Sequence, residues 1–96
     1  MNNYDKGDVV RCYGHFTNNL DADIDPTSVF FSVIDPTQAQ TNYQYGVGIQ
    51  IIKDSVGHYH ADVDADLEGY YRYRWYSTGT GKAADDAWFV VDPTPF

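Results

Sequence analysis

Apolar and polar residues alternate along most of this chain, and the alternation restarts about every ten residues after a turn-forming segment. A period of two is typical of β-strands, because successive side chains of a strand point to opposite faces of a sheet. No window carries apolar residues at helical spacing over three turns, so the pattern predicts an all-β chain. About seven strands are expected, over residues 8–17, 28–34, 42–45, 49–53, 59–63, 70–77 and 87–91.

The same alternation separates an inward and an outward face on each strand. The side chains predicted to face the core are Val10, Phe16, Val29, Phe31, Val33, Tyr59, Val63, Tyr71, Tyr73, Trp75, Phe89 and Val91. A slip of one residue would turn a whole strand inside out, so these positions are fixed together. Short strands at this spacing, without helices, indicate two packed antiparallel sheets or a small barrel.

Large side chains also fall on the outward face of the expected strands. They are Phe30, Tyr70, Arg72, Arg74, Tyr76 and Trp88. Tyrosine, tryptophan and arginine are enriched where one protein surface meets another, and four outward aromatic residues exceed what a small monomer usually exposes. These residues therefore predict an interface with a neighbouring protein. The alternative is that a loop or tail of the same chain covers them.

The final residues, Asp-Pro-Thr-Pro-Phe, cannot continue a central strand, because two prolines lack the N–H donors of a ladder. We expect an extended arm that leaves the domain. Its last residue, Phe96, is then a candidate anchor for the same interface, with folding back onto its own domain as the open alternative.

Length and charge narrow the possible partners. Ninety-six residues make one small domain spanning 1–96, with short extended termini. Fourteen acidic residues against six basic ones give a net charge of −8, which disfavours nucleic acid and anionic membranes as partners. The N-terminus lacks a signal-peptide layout, so a soluble protein made in the cytosol is expected. The single cysteine, Cys12, falls in a strand pattern and is expected to be structural.

Candidate chemistry is sparse. His58, His60 and Asp62 share one strand face, but two histidines on a solvent-exposed face need no metal, so neither a metal nor another cofactor is expected. The acidic segment 62–68 has alternating carboxylates that suit calcium, yet it lacks the glycine and distant glutamate of a helix-loop-helix site, and the question stays open. No strained glycine-flanked nucleophile lies near a histidine, so the chain is not expected to be an enzyme.

Asp66, Gly69 and Tyr71 resemble the tyrosine corner of immunoglobulin-like (Ig-like) domains, in which an acid and a glycine lead into the sixth strand and a tyrosine follows. The cysteine expected two residues after that tyrosine is replaced by Tyr73, and its partner cysteine is missing. The resemblance implies an Ig-like antiparallel β-sandwich of about seven strands whose core depends on aromatic packing instead of a disulfide.

Read from end to end, the chain resembles a group of small proteins, about a hundred residues long, of tailed bacteriophages and prophages. The similarity is carried by the start Gly-Asp-Val-Val-Arg at 7–11, by segments 24–29, 57–64 and 69–75, by the Tyr-Gly turn at 45–46, and by Thr-Gly-Thr-Gly-Lys-Ala-Ala at 78–84. Such proteins are usually encoded among the structural genes for the head and the head-to-tail junction. The resemblance implies a structural protein located in the virion.

Three functions follow. The first is an Ig-like module that binds neighbouring capsid or neck subunits, as a decoration or cement protein or at the head-tail connection, in a homo-oligomeric or symmetric array. The second is an Ig-like recognition module that binds carbohydrate or a host surface. The third is a small enzyme or metal-binding protein. A glycan binder is expected to carry aromatics at loop tips in a concave site, and an assembly protein on flat strand faces and terminal arms, which is the pattern found here.

Overall fold

The structure, a computed structural model, describes residues 3–18, 20, 22–79 and 84–93, and within these ranges it contains strands and no helix. The strands are β1 (Asn3–Asp5), β2 (Val9–His15), β3 (Ser28–Ile34), β4 (Gln40–Gln44), β5 (Ile51–Ser55), β6 (His58–Asp64), β7 (Gly69–Thr78) and β8 (Ala84–Asp92). The expectation of an all-β chain is confirmed. Each expected strand is present, with ends that differ by three residues or fewer.

The strands form two sheets that pack as a β-sandwich. A five-stranded sheet has the order β1-β8-β7-β3-β4, and a three-stranded sheet has the order β2-β6-β5. All neighbours are antiparallel except β1 and β8, which are parallel. The prediction of about seven wholly antiparallel strands was therefore wrong at the N-terminus. Three residues are too short to show a period, and β1 is held by its ladder to β8 and by Tyr4, whose ring meets Phe89 edge-on at 5.5 Å.

The inner faces of both sheets meet in one core, as the alternation predicted. Ten of the twelve side chains predicted to face inward are buried, and Val63 and Tyr73 are partly buried and pack against them. Trp75 lies at the centre, with its ring 4.7 Å from Phe31 in its own sheet and 6.5 Å from Phe16, which follows β2. Aromatic packing therefore joins the two sheets.

Gly14 makes room for the indole of Trp75. It lies on the inner face of β2, where a Cβ atom would be 2.6 Å from Cδ2 of Trp75. Real carbon atoms do not approach so closely, so no larger residue fits without a shift of the ring. The indole nitrogen is buried and has no hydrogen-bond partner among the described residues, so shape and not polarity fixes this contact.

The connection from β6 to β7 is tied to the strand that follows it. The backbone N–H of Leu67 donates a hydrogen bond to the Tyr71 hydroxyl at 3.2 Å, while the Tyr71 ring stacks on Phe89 at 4.9 Å. Gly69 has a φ of +126°, a value that favours glycine, and its Cα faces Pro36. Tyr71 thus holds the connection between β6 and β7 through its hydroxyl and packs in the core through its ring.

The long connection between β2 and β3 folds back onto the three-stranded sheet. The Phe16 N–H donates to the Gly57 carbonyl at 2.8 Å, and the Gly57 N–H donates to the Asp25 carboxylate at 3.0 Å. Thr17 and Asp23 also form an isolated antiparallel bridge. These bonds hold the connection against the turn between β5 and β6.

Candidate functional site

Six of the seven predicted interface residues share the outer surface of the five-stranded sheet. Strand pairing places Phe30 opposite Tyr76 and Arg72 opposite Trp88. We call this surface the aromatic face, defined by Phe30, Tyr70, Arg72, Arg74, Tyr76 and Trp88. The seventh predicted residue, Phe96, lies outside the described residues, and so does the expected end of the C-terminal arm.

The aromatic side chains of this face form two cross-strand pairs. Phe30 and Tyr76 stack with ring centroids 4.9 Å apart and planes 12° from parallel, and Tyr70 and Trp88 lie 5.3 Å apart at 37°. Tyr70 is 47% exposed and Trp88 is 39% exposed, while Phe30 and Tyr76 are half-buried. Pairs of this kind hold their rings in fixed positions on the sheet and leave apolar area in solvent.

The arginines give the aromatic face a positive character that contrasts with the acidic chain. Arg74 makes an ion pair with Asp86 at 3.2 Å, and its guanidinium lies 5.9 Å from the centroid of the Tyr76 ring. Arg72 is exposed, and none of the described residues makes an ion pair with it. One guanidinium is therefore held in place, and the other remains available to a carboxylate on another molecule.

An open depression of about 560 Å³ lies on this face. Its lining includes Arg72, Trp88, Ile34 and the nearly buried Ser32, whose hydroxyl donates to the Asn42 side chain at 2.6 Å. The depression is bordered by strand residues and not by loop tips. A volume of this size accommodates a partner's side chains or a small ligand alike.

The prediction that His58 and His60 lie together on a solvent-exposed face was wrong for His60. Its side chain is only 8% exposed, and its Nδ1 atom lies 2.7 Å from the carboxylate of Asp54. β6 is the middle strand of its sheet, so Tyr13 on β2 and Asp54 on β5 cover this histidine from both sides. His60 thus has a partner of its own and does not join His58 in a pair of ligands.

His58 instead meets a residue that sequence reasoning did not connect with it. The ladder between β2 and β6 places His15 opposite His58, and their rings stack at 4.2 Å with planes 11° apart. The Asp23 carboxylate lies 2.7 Å from Nε2 of His15 and 3.2 Å from Nε2 of His58. We call these three residues the histidine cluster. Only the strand register could have revealed it, because nothing in the local pattern pairs residues so distant in the chain.

The carboxylates of the acidic segment 62–68 do not come together as the side chains of the histidine cluster do. Asp62 forms a two-bonded ion pair with Arg11, at 2.9 and 3.2 Å, and the hydrogen bond with this guanidinium holds the pKa of Asp62 below its usual value. No three described acidic side chains of the segment bring their oxygens within 4.8 Å of one another. Asp62 is therefore occupied by an arginine, and its neighbours project separately into solvent.

Cys12 is in the core, as expected of a structural cysteine. Burial raises the pKa of its thiol to about 12, because a thiolate would lose its hydration there. A buried, protonated thiol is a poor nucleophile. Cys12 therefore contributes packing.

Comparison with known protein families, curated proteins and solved structures found no match to this chain. In the described part of the chain, no helix has the length and apolar character needed to cross a membrane.

Proposed function

We propose that this chain is an Ig-like structural protein of a tailed-bacteriophage virion, which binds neighbouring capsid or neck subunits through its aromatic face. The role is that of a decoration or cement protein, or of a component of the head-tail connection, in a symmetric array. The observation that carries the proposal is the cluster of paired, partly exposed aromatics and arginines on one sheet face. The phage setting comes from the sequence resemblance alone.

The strand order supports the Ig-like part of the proposal. Constant-type Ig domains place their third, sixth and seventh strands in one sheet, and their second, fourth and fifth strands with the first strand in the other. Numbered so that β2 is the second strand of that scheme, β3, β7 and β8 share one sheet here, and β2, β5 and β6 share the other. β4 then extends the first sheet, as the additional strand of variable-type domains does.

Two local features support the same reading. The hydrogen bond from Leu67 to the Tyr71 hydroxyl has the form of a tyrosine corner, in which the hydroxyl bonds to backbone a few residues upstream. Cys12 lies on the inner face of the second strand, where Ig domains carry the first cysteine of their disulfide. In this scheme Cys12 occupies the position of the partner cysteine that the sequence comparison with Ig-like domains left missing, and Tyr73 stands in the other position.

Assembly fits the aromatic face better than glycan binding does. Its aromatics lie on the central strands of a sheet in stacked pairs, and the depression beside them is lined by strand residues, whereas a glycan binder is expected to carry its aromatics at loop tips. Exposed tryptophan, tyrosine and arginine are also the residues that contribute most of the binding energy at protein interfaces. Net charge of −8 keeps free subunits apart, and Arg72, which has no ion-pair partner among the described residues, gives a partner's carboxylate a specific position.

A pair of matched variants tests the proposal. Trp88→Ser removes an exposed ring from the aromatic face, and Tyr13→Ser removes one, 68% exposed, from the outer face of the other sheet. Both are expected to fold normally by circular dichroism. Quantitative mass spectrometry of purified particles should then show that Trp88→Ser fails to incorporate while Tyr13→Ser incorporates as the unchanged chain does.

Other outcomes would exclude the proposal or distinguish between the roles that it includes. Normal incorporation of Trp88→Ser excludes the aromatic face as the contact. Absence of the unchanged chain from particles excludes the virion role, and glycan binding that Trp88→Ser abolishes would then favour the recognition module. Where the chain is incorporated, its copy number relative to the major capsid protein separates a capsid lattice from a neck ring.

A further inference from the structure

The histidine cluster has the arrangement of a metal site, and it lies on the three-stranded sheet, away from the aromatic face. We propose that His15, Asp23 and His58 bind one divalent transition-metal ion, with Zn²⁺ as the best-suited ion. The inference is independent of the proposed function. It departs from the expectation that the chain holds no metal, because that expectation considered His58 with His60.

The backbone holds the two imidazoles side by side. His15 and His58 are directly opposed in the ladder between β2 and β6, so the hydrogen bonds between these two strands fix the positions of both backbones. Their rings are nearly parallel, and both Nε2 atoms approach the same carboxylate. Both nitrogens therefore already lie beside one carboxylate, and a tilt of the stacked rings toward each other is the change that binding of one ion requires.

The third ligand is also positioned by backbone contacts. Asp23 pairs with Thr17 in an isolated bridge, and the next residue, Ile24, donates its N–H to the Phe16 carbonyl at 3.3 Å. Asn18 accepts and donates hydrogen bonds with Ala22 on the other side. Asp23 thus projects from a segment that is tied to the end of β2 and not from a free loop.

The distances are close to those that a tetrahedral ion requires. One ligand atom from each of the three side chains can be chosen so that all lie within 4.8 Å of one another. Bonds of about 2.0–2.1 Å to zinc place tetrahedral ligand atoms roughly 3.3 Å apart. The partial exposure of all three side chains leaves room for the rotations that close this difference and for a water molecule as fourth ligand.

The donor set selects the class of ion. Two imidazole nitrogens and one carboxylate oxygen suit zinc and its neighbours in the first transition row, whereas calcium and magnesium prefer oxygen ligands alone. An exposed aspartate is ionised at neutral pH, as a carboxylate ligand must be. The ion would replace the hydrogen bonds that now join the three side chains and would link β2, β6 and the connection between β2 and β3.

Isothermal titration calorimetry, in which ZnCl₂ is added to the metal-free full chain, tests the proposal. We expect one ion per chain, and binding weakened by more than about 100-fold in both His15→Ala and Asp23→Asn, a larger loss than removal of a supporting partner causes. Zinc at about 100 times its dissociation constant should raise the melting temperature by roughly 10–20 °C. Cobalt in place of zinc should give the visible absorption of a tetrahedral site.

Matched variants make the result specific. His60→Gln changes the remaining histidine of the chain, and Asp64→Asn removes an exposed carboxylate from β6, so both should bind zinc as the unchanged protein does. The proposal is overturned if zinc, nickel, copper and cobalt all fail to bind saturably. It is equally overturned if His15→Ala and Asp23→Asn bind as before, or if His60→Gln abolishes binding.

Discussion

Replacement of Gly14 by alanine gives a sharp test of how the two sheets pack. The added Cβ atom would lie 2.6 Å from Cδ2 of Trp75 and 3.0 Å from both Cε2 and Cε3. Carbon atoms in favourable contact are about 3.5–4.0 Å apart, so the overlap is close to an ångström. The backbone of β2 is held by its ladder to β6, so the indole must move.

The magnitude follows from how little room the indole has. Trp75 is 2% exposed, and the rings of Phe16 and Phe31 lie 6.5 and 4.7 Å from its own. Overpacking of a tight core costs about 1–3 kcal/mol of folding stability. The upper end is expected here, because the added Cβ is carried by a backbone that cannot withdraw from the indole. Removal of a glycine returns about 0.4–1 kcal/mol through the unfolded state. The expected net loss is about 2 kcal/mol, or roughly 8–16 °C in melting temperature for a domain of this size.

Urea denaturation followed by circular dichroism measures this loss, and a second substitution identifies its cause. Trp75→Phe lacks the fused ring that the new Cβ would meet. In that background Gly14→Ala should cost much less, so the double-mutant cycle should give a coupling energy of about 1–2 kcal/mol. A loss below about 0.5 kcal/mol for Gly14→Ala alone, or the same loss in both backgrounds, would refute the packing described here.

Three further predictions concern titration, thiol chemistry and the Ig-like arrangement. Hydrogen bonds from Lys53, the Gly57 N–H and Tyr59 hold the pKa of Asp25 below its usual value, so its contribution to stability is present above about pH 4 and is lost as pH falls. Asp25→Asn should therefore lose less unfolding free energy between pH 6 and pH 3 than the unchanged chain, and equal losses in urea titrations would contradict this. Cys12, with a thiol pKa near 12, should react with a thiol reagent at pH 8 only after denaturation, and fast labelling of the native chain would show that the strand opens. Tyr73→Cys should form a disulfide with Cys12 under mild oxidation if the second and sixth strands have the Ig-like relation, and two free thiols in the folded, oxidised variant would argue against that relation.

Alternation along the chain predicted most of the side chains that form the core and those that form the aromatic face, although Ile51, Ala61 and Ala65 are also buried and were not among the predicted core residues. Phe31 and Trp75 were assigned inward, and Tyr70 and Trp88 outward, from parity alone, and the structure has them so. The reason is that a strand has only two faces, and a single buried set fixes both. The use of the aromatic face as an interface stays a prediction, and Phe96 lies outside the described residues.

Register between distant strands could not be read from the sequence. It determines which residues of different strands are in contact. Only the pairing of β2 with β6 brings His15 to His58, and only the packing of one sheet on the other sets Gly14 against Trp75. The burial of His60 likewise depends on Asp54 from a neighbouring strand. Alternation is a local property of each strand, whereas the choice of neighbour and register is made by the packing of the whole chain, and contacts between strands exist only once that choice is made.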